Sequence, residues 1–258
     1  VRDPSRMAEV LNRVIEKAFR GSAPAQINVP RDYWTQVIDI ELPPIVRFER
    51  QGGGKDAIER ASNLLSKAKF PVILSGAGVV IGGAIEECKK LAEKLDAPVC
   101  NGYQHNDSFP GSHPLAVGPL GYNGSKAAME LISKADVVLA LGTRLNPFST
   151  FPGYGIDYWP KNATIIQVDM NPDRIGLTKK VTVGICGDAK QVAQQILDKL
   201  SSDAGNLGRD ERKNLIHKTK SAWLQTLAGL DHEEDDPGTV WNKEARERDK
   251  DRMSPRQA

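Results

Sequence analysis

Val137-Val138-Leu139-Ala140-Leu141-Gly142 has no polar residue before its closing glycine. A strand with one wet face alternates apolar and polar residues, whereas a strand covered on both faces is apolar throughout. The run is therefore predicted as a strand of a parallel sheet with helices on each side. Three more runs read the same way: Val72-Ile73-Leu74-Ser75-Gly76, Thr164-Ile165-Ile166-Gln167-Val168-Asp169 and Val181-Thr182-Val183-Gly184-Ile185-Cys186-Gly187-Asp188. Each stops at a glycine or an aspartate, and helical periodicity lies between or after them. The fold class expected is α/β, a doubly wound, mostly parallel sheet. In such sheets ligands bind outside the carboxyl ends of the strands. The glycines and aspartates therefore mark a candidate rim for a nucleotide-sized ligand.

Working outward, 56–68 reads as a helix burying Ala57, Ala61, Leu64, Leu65 and Ala68, and 84–95 as one burying Ile85, Cys88, Leu91 and Leu95. A loop to Gly83 separates strand 72–75 from the second of these. Pro98-Val99-Cys100 is a short strand, 101–124 a long Gly/Pro-rich loop, and 125–134 a helix. Loops of that length in a compact domain are usually functional. Helix 188–200 opens on Asp188 as its cap and buries Val192, Ala193, Ile196, Leu197 and Leu200. A polar helix is expected over 208–230, then a charge-dense connector over 231–253.

At the other end, Met7, Val10, Leu11, Val14, Ile15 and Ala18 make one helix face over 4–20, and Gly21 ends it. Ala25 to Val29 reads as a short strand whose partners are expected before Val1. Residues 31–54 form a linker with Pro43-Pro44 and Gly52-Gly53-Gly54. Ser254-Pro255 has the chemistry of a helix start. Two elements without their complements point to a middle section of a longer protein.

Composition narrows the functional classes. The chain has 258 residues, 40% hydrophobic and 26% charged, with a formal net charge of +2. That balance argues against a nucleic-acid or membrane partner, and no apolar run approaches the ~20 residues that span a bilayer. Cys88, Cys100 and Cys186 are too few and too scattered for a disulfide framework or a zinc site. Cys88 and Cys186 are expected as buried small hydrophobes, and a reducing cytoplasm fits.

Ser75-Gly76-Ala77-Gly78 with Gly82-Gly83 is a glycine-rich turn after a strand. Without Cβ atoms, backbone amides can approach a phosphate. A tight turn with no ligand accounts for the glycines equally well, since the third glycine is one residue late for G-x-G-x-x-G. Arg144, after Gly142-Thr143, is a donor fork suited to phosphate. Asp169 is placed to accept from ribose hydroxyls or an adenine amine, and Asp188 is explained by capping alone. His105 and His113 share the 101–124 loop with Asn101, Gln104, Asn106 and Asp107. Two histidines without a firm third ligand do not make a metal site, so no metal ligand is assigned. Gly187-Asp188-Ala189 resembles a magnesium-diphosphate motif loosely, but fails on its third residue and on spacing.

Ala23 to Asp32, Pro71 to Gly78, Phe109 to Leu115, Gly118 to Gly121, Ala135 to Arg144 and Ile166 to Pro172 follow one another in a familiar order. Through these segments the chain resembles thiamine-diphosphate enzymes of the acetolactate synthase type. The resemblance implies three α/β domains, with 1–30 ending the pyrimidine-binding domain and 55–202 forming a Rossmann-like central domain. Residues 203–258 would lead to a diphosphate-binding domain. Val29 to Trp34, Asn101 to Asp107 and Arg144 to Phe148 are similar to the branch that desulfonates sulfoacetaldehyde with phosphate. That branch yields acetyl phosphate and sulfite in taurine-type sulfonate breakdown. The cofactors implied are thiamine diphosphate and Mg2+, with ADP, FAD or nothing in the central domain. Residues matching the adenine-nucleotide contacts are Gly76, Gly78, Thr143, Arg144, Asp169 and Asp188. Gln104 and His105 match a loop that approaches the substrate. A homodimer or homotetramer is implied. The catalytic glutamate and the magnesium motif are expected outside these residues, so the 258 residues alone are expected to be inactive. The rivals are a stand-alone nucleotide-binding module, a structural spacer, or another acetolactate synthase-like enzyme.

Overall fold

Six parallel strands form one sheet in the order β3-β2-β1-β4-β5-β6. The strands are β1 (Pro71–Ser75), β2 (Val99–Asn101), β3 (Ala116–Pro119), β4 (Val137–Leu141), β5 (Thr164–Asp169) and β6 (Val183–Cys186). The structure is a computed structural model and describes residues 1–21, 23–42, 44 and 49–230. The described chain divides into two units, Val1–Gln51 and Gly52–Ala258.

The second unit holds the sheet. Every residue of β1 and β4 is buried, which is why their sequences carry no alternation. Val72 lies beside Val138, Ile73 beside Leu139, and Leu139 in turn beside Ile166. Among its described residues this unit has six α-helices: α2 (Lys55–Ser66), α3 (Ala77–Gly82), α4 (Ile85–Leu95), α5 (Lys126–Ile132), α6 (Ala189–Lys199) and α7 (Arg209–Leu230). α2 buries Ile58, Ala61 and Leu65, and α4 buries Cys88, Leu91, Ala92 and Leu95. Of these, Ala61, Leu65, Cys88, Leu91 and Leu95 are expected from the periodicity and Ile58 is not, while the expected Ala57, Leu64, Ile85, Leu197 and Leu200 are only partly buried. α5 is capped by the Ser125 hydroxyl, which accepts from the Ala128 amide at 3.2 Å. Asp188 caps α6, accepting from the amides of Lys190 and Gln191 at 3.1 and 3.2 Å.

The first unit contains α1 (Met7–Gly21), none of whose residues is fully buried. Tyr33 Oη donates to the Arg2 carbonyl at 2.8 Å, and the Val1 amino group to the Asn28 carbonyl at 2.7 Å.

Four expectations are corrected. Residues 25–29 are not a strand; they have no neighbouring strand among the described residues, and a lone strand has no ladder to stabilise it. The stretch up to Gly83 is not all loop, because Ala77–Gly82 forms α3. Its two glycines hid that helix. The 101–124 segment contains β3, an edge strand whose Gly118 and Pro119 depress β-propensity but are tolerated at an edge. Cys186 is only partly buried, since β6 is the other edge. The linker residues 43 and 45–48, the connector over 231–253 and the helix start at 254–255 lie outside the described residues.

The cysteines supply two checks. Cys88 and Cys100 are fully buried and Cys186 is not. One thiol is expected to react promptly with a disulfide reagent in native protein and three in denaturant, with Cys186→Ser removing the prompt reaction. Burial also pushes the Cys88 thiol up to about 12 from a reference of 9.0. Between those values the unfolded chain releases a proton that the folded chain keeps, so this contribution is complete below pH 9 and is lost as pH rises. The slope is about 1.4 kcal/mol per pH unit for that thiol. Urea midpoints from pH 8.5 to 10.5 should fall less steeply in Cys88→Ala than in the parent.

Candidate functional site

The strand order 3-2-1-4-5-6 is that of a doubly wound dinucleotide-type sheet, whose direction of growth reverses between β1 and β4. All six strands are parallel, so their carboxyl ends form one rim. Along it the exits follow in sheet order: Gln104 and His105 after β2, Gly76 and Gly78 after β1, Thr143 and Arg144 after β4, Asp169 ending β5, and Asp188 after β6. The rim expected from sequence is therefore one edge.

At the reversal point the two exits touch through backbone. The Gly76 amide donates to the Leu141 carbonyl at 3.1 Å and the Gly78 amide to the Gly142 carbonyl at 2.8 Å. A Cβ on Gly76 would lie 2.6 Å from the Thr143 Cβ, and one on Gly78 2.7 Å from the Gly142 Cα. These glycines let two loops pack against each other, and their amides are already committed to the chain. That is the ligand-free turn of the two sequence readings, at least for these amides.

On the β4 exit, Thr143 is buried and its Oγ1 accepts from the Leu145 amide at 3.2 Å. Arg144 is exposed and makes no ion pair with the described residues. Asp169 is buried, and its Oδ1 accepts from the Asn171 amide at 2.8 Å, which turns the chain after β5. Asn171 repeats the device with the Asp173 amide at 2.9 Å.

The β2 exit rests on a buried polar network. Asn101 Nδ2 donates to Ser108 Oγ at 3.0 Å and to the His105 carbonyl at 3.2 Å. Ser75 Oγ donates to the Ser108 carbonyl at 3.2 Å. Ser75 and Asn101 are register partners at the ends of β1 and β2. These contacts hold Gln104 exposed in the left-handed region at φ +67°. Next to it the Tyr103 amide donates to Ser149 Oγ at 2.9 Å, and the Tyr103 ring stacks on Phe148 at 5.4 Å.

His105 and His113 are not brought together. His105 follows the end of β2, whereas His113 precedes β3 and so lies toward the opposite end of the sheet. His113 Nδ1 accepts from the Leu115 amide at 3.2 Å, and its Nε2 faces Glu93 Oε1 at the same distance. No group of three histidine, cysteine, aspartate or glutamate side chains converges as a metal site among the described residues. No helix there is long and apolar enough to cross a membrane.

Sequence reading missed Gln167, a buried polar side chain inside β5 that bonds to two rim loops. Its only signal was one amide in an apolar run. It also missed Asp136, whose carboxylate accepts from the Lys69 and Phe70 amides at 2.7 and 2.9 Å and sets the start of β1. Asp136→Ala is expected to cost about 1–3 kcal/mol, read from the urea midpoint.

Sheet order and rim together define an open, doubly wound α/β domain. Residues 58–196, more than half of the chain, match the family described as thiamine pyrophosphate enzyme, central domain. The chain belongs to that family. It is 78% identical over its whole length to a probable sulfoacetaldehyde acetyltransferase of Rhizobium meliloti strain 1021, covering 44% of that protein. It is 73% identical, again over its whole length, to a sulfoacetaldehyde acetyltransferase of Roseovarius nubinhibens, covering 43% of it. The chain thus spans less than half the length of these relatives. Among solved structures, a benzoylformate decarboxylase from Polynucleobacter necessarius superposes with a TM-score of 0.65 at 22% identity, over 81% of this chain and 39% of that one. That likeness concerns the fold alone.

Proposed function

We propose that this chain is a segment of a thiamine-diphosphate-dependent acyltransferase that converts sulfoacetaldehyde and phosphate to acetyl phosphate and sulfite. The observation that carries the reading is 78% identity, over the entire chain, to a relative of that name. The proposal includes thiamine diphosphate and Mg2+ as cofactors, a cytoplasmic setting and a homodimeric or homotetrameric assembly. The described residues do not themselves fit a diphosphate-bound magnesium. Of the rim carboxylates, Asp188 holds helix amides and Asp169 a loop amide, whereas magnesium needs near-octahedral oxygens. No chemical step is therefore assigned to a residue of this chain. Gln104 and His105 are proposed as substrate-side groups on the β2 exit.

The test is an assay of the protein encoded by the reading frame containing these residues. Sulfite and acetyl phosphate are measured after adding sulfoacetaldehyde, phosphate, thiamine diphosphate and Mg2+. Stoichiometric release of both supports the reading. Acetolactate from pyruvate, with no sulfite from sulfoacetaldehyde, overturns it in favour of another acetolactate synthase-like enzyme. Turnover by residues 1–258 alone would overturn the assignment as a segment.

A second reading concerns the rim. We infer that it takes an adenine nucleotide, ADP or FAD, with Arg144 toward phosphate and Asp169 toward the ribose or base. What favours this is an exposed arginine beside the sheet's reversal point, without an acidic partner among the described residues. Gly76, Gly78, Thr143 and Asp188 shape the rim rather than hold the ligand through free amides. Titration of the chain with ADP and FAD tests it. Absence of binding leaves the structural spacer.

A further inference from the structure

Gln167 lies within the apolar run of β5 and is 1% exposed. A buried amide is costly unless its hydrogen bonds are made. Here all of them leave the strand. Nε2 donates to the Thr143 carbonyl at 3.1 Å and to the Arg174 carbonyl at 3.2 Å, while Oε1 accepts from the Gly176 amide at 2.9 Å. One nitrogen therefore holds the β4 exit loop and the turn after β5 side by side. A second clasp joins the same segments, because Thr178 Oγ1 donates to the Leu145 carbonyl at 2.7 Å.

Each clasped segment carries an arginine at the clasp. Arg144 directly follows Thr143, and Arg174 supplies one of the two carbonyls. Neither guanidinium forms a salt bridge or hydrogen bond to a side chain among the described residues, although Asp173 is adjacent in sequence. The Arg174 turn is also fixed from below, through the Asn171 amide on Asp169 and the Asp173 amide on Asn171. Two unpaired guanidinium forks on loops locked together suit one phosphate or diphosphate group, since each fork offers paired donors to anionic oxygens.

We propose that Gln167 is a positioning residue that sets Arg144 and Arg174 on one part of the rim, and that Arg174 is a second anion-binding arginine there. The proposal rests on the nucleotide reading of the rim. A merely structural Gln167 would predict lost stability with unchanged ADP affinity in the Gln167→Glu variant.

The test is isothermal titration of the chain with ADP, and separately with inorganic pyrophosphate, at low salt and with thermal melts in parallel. Arg174→Ala and Arg144→Ala are each expected to weaken ADP about tenfold while leaving the melting temperature unchanged. Arg174→Lys should recover part of the loss. Gln167→Glu can still accept from the Gly176 amide but cannot donate to the two carbonyls, so it should weaken ADP as well. If that variant does not fold, Arg174→Ala carries the test alone. ADP binding by the parent, with Arg174→Ala within twofold of it, overturns this inference and spares the nucleotide reading. Failure of the parent to bind either probe overturns both.

Discussion

Replacing Arg212 with methionine is expected to destabilise the chain by about 3–5 kcal/mol. The side chain is 1% exposed and lies on α7. Its Nε donates to the Asp96 carbonyl at 2.9 Å. Nη1 donates to the Lys69 and Leu207 carbonyls, and Nη2 to those of Leu95 and Gly205. A guanidinium has five N–H donors, and here five carbonyls take them. These carbonyls come from the end of α4, the approach to β1 and the turn before α7, so one residue fastens α7 to the sheet. Burial lowers the Arg212 pKa, and the nearby Asp96 carboxylate opposes that shift. Asp96 in turn pairs with Arg209, and with Lys213 at 3.4 Å.

Methionine would fill the volume and leave five carbonyls without their donor. Arg212→Lys should cost nearly as much, because an ammonium is a point charge with three donors and cannot reach five carbonyls in one plane. Urea midpoints and amide exchange of α7 read the effect. A methionine variant within 1 kcal/mol of the parent would sink the argument.

The second large effect is expected at the sheet's reversal point. Gly142 has φ +61°, and a Cβ there would lie 2.7 Å from the Gly78 Cα and 2.8 Å from the Val79 nitrogen. Gly142→Ala therefore combines left-handed strain with overpacking against backbone that cannot rotate away. The expected cost is about 2–4 kcal/mol. Gly83 separates the two terms. It has φ +63° but open space around its Cβ position, so Gly83→Ala should cost only about 1 kcal/mol. If the two alanine variants are equally stable, the close approach of the β1 and β4 exits is not what these glycines serve.

This pair also marks how far the rim was legible. That Gly76, Gly78, Arg144 and Asp169 share an edge followed from their places at the ends of apolar runs, since parallel strands put all such ends together. What the glycines do there is not decided by their spacing. Only the contact with Gly142, more than 60 residues away in the chain, shows their amides donating to neighbouring backbone. The histidines are the converse case. They are close in sequence, but a parallel connection carries the chain from the end of one strand to the start of the next, so the sheet separates them.

Local chemistry was sufficient wherever a residue's role is set by its near neighbours. The Asp188 cap, most of the buried faces of α2, α4 and α6, and the strands β1, β4 and β5 follow from side-chain type and spacing. β3 escaped because an edge strand containing glycine and proline is held by pairing with β2, a long-range contact that leaves no periodicity.

The amino-acid sequence by itself determined the layered α/β class and the common rim, because burial on both faces is written as uninterrupted apolar runs. Tertiary structure alone decided the strand order, the clasp made by Gln167 and the anchoring of α7 by Arg212. In each case the partners are backbone carbonyls and amides, which every residue carries alike. No residue type announces them until the fold brings them within reach.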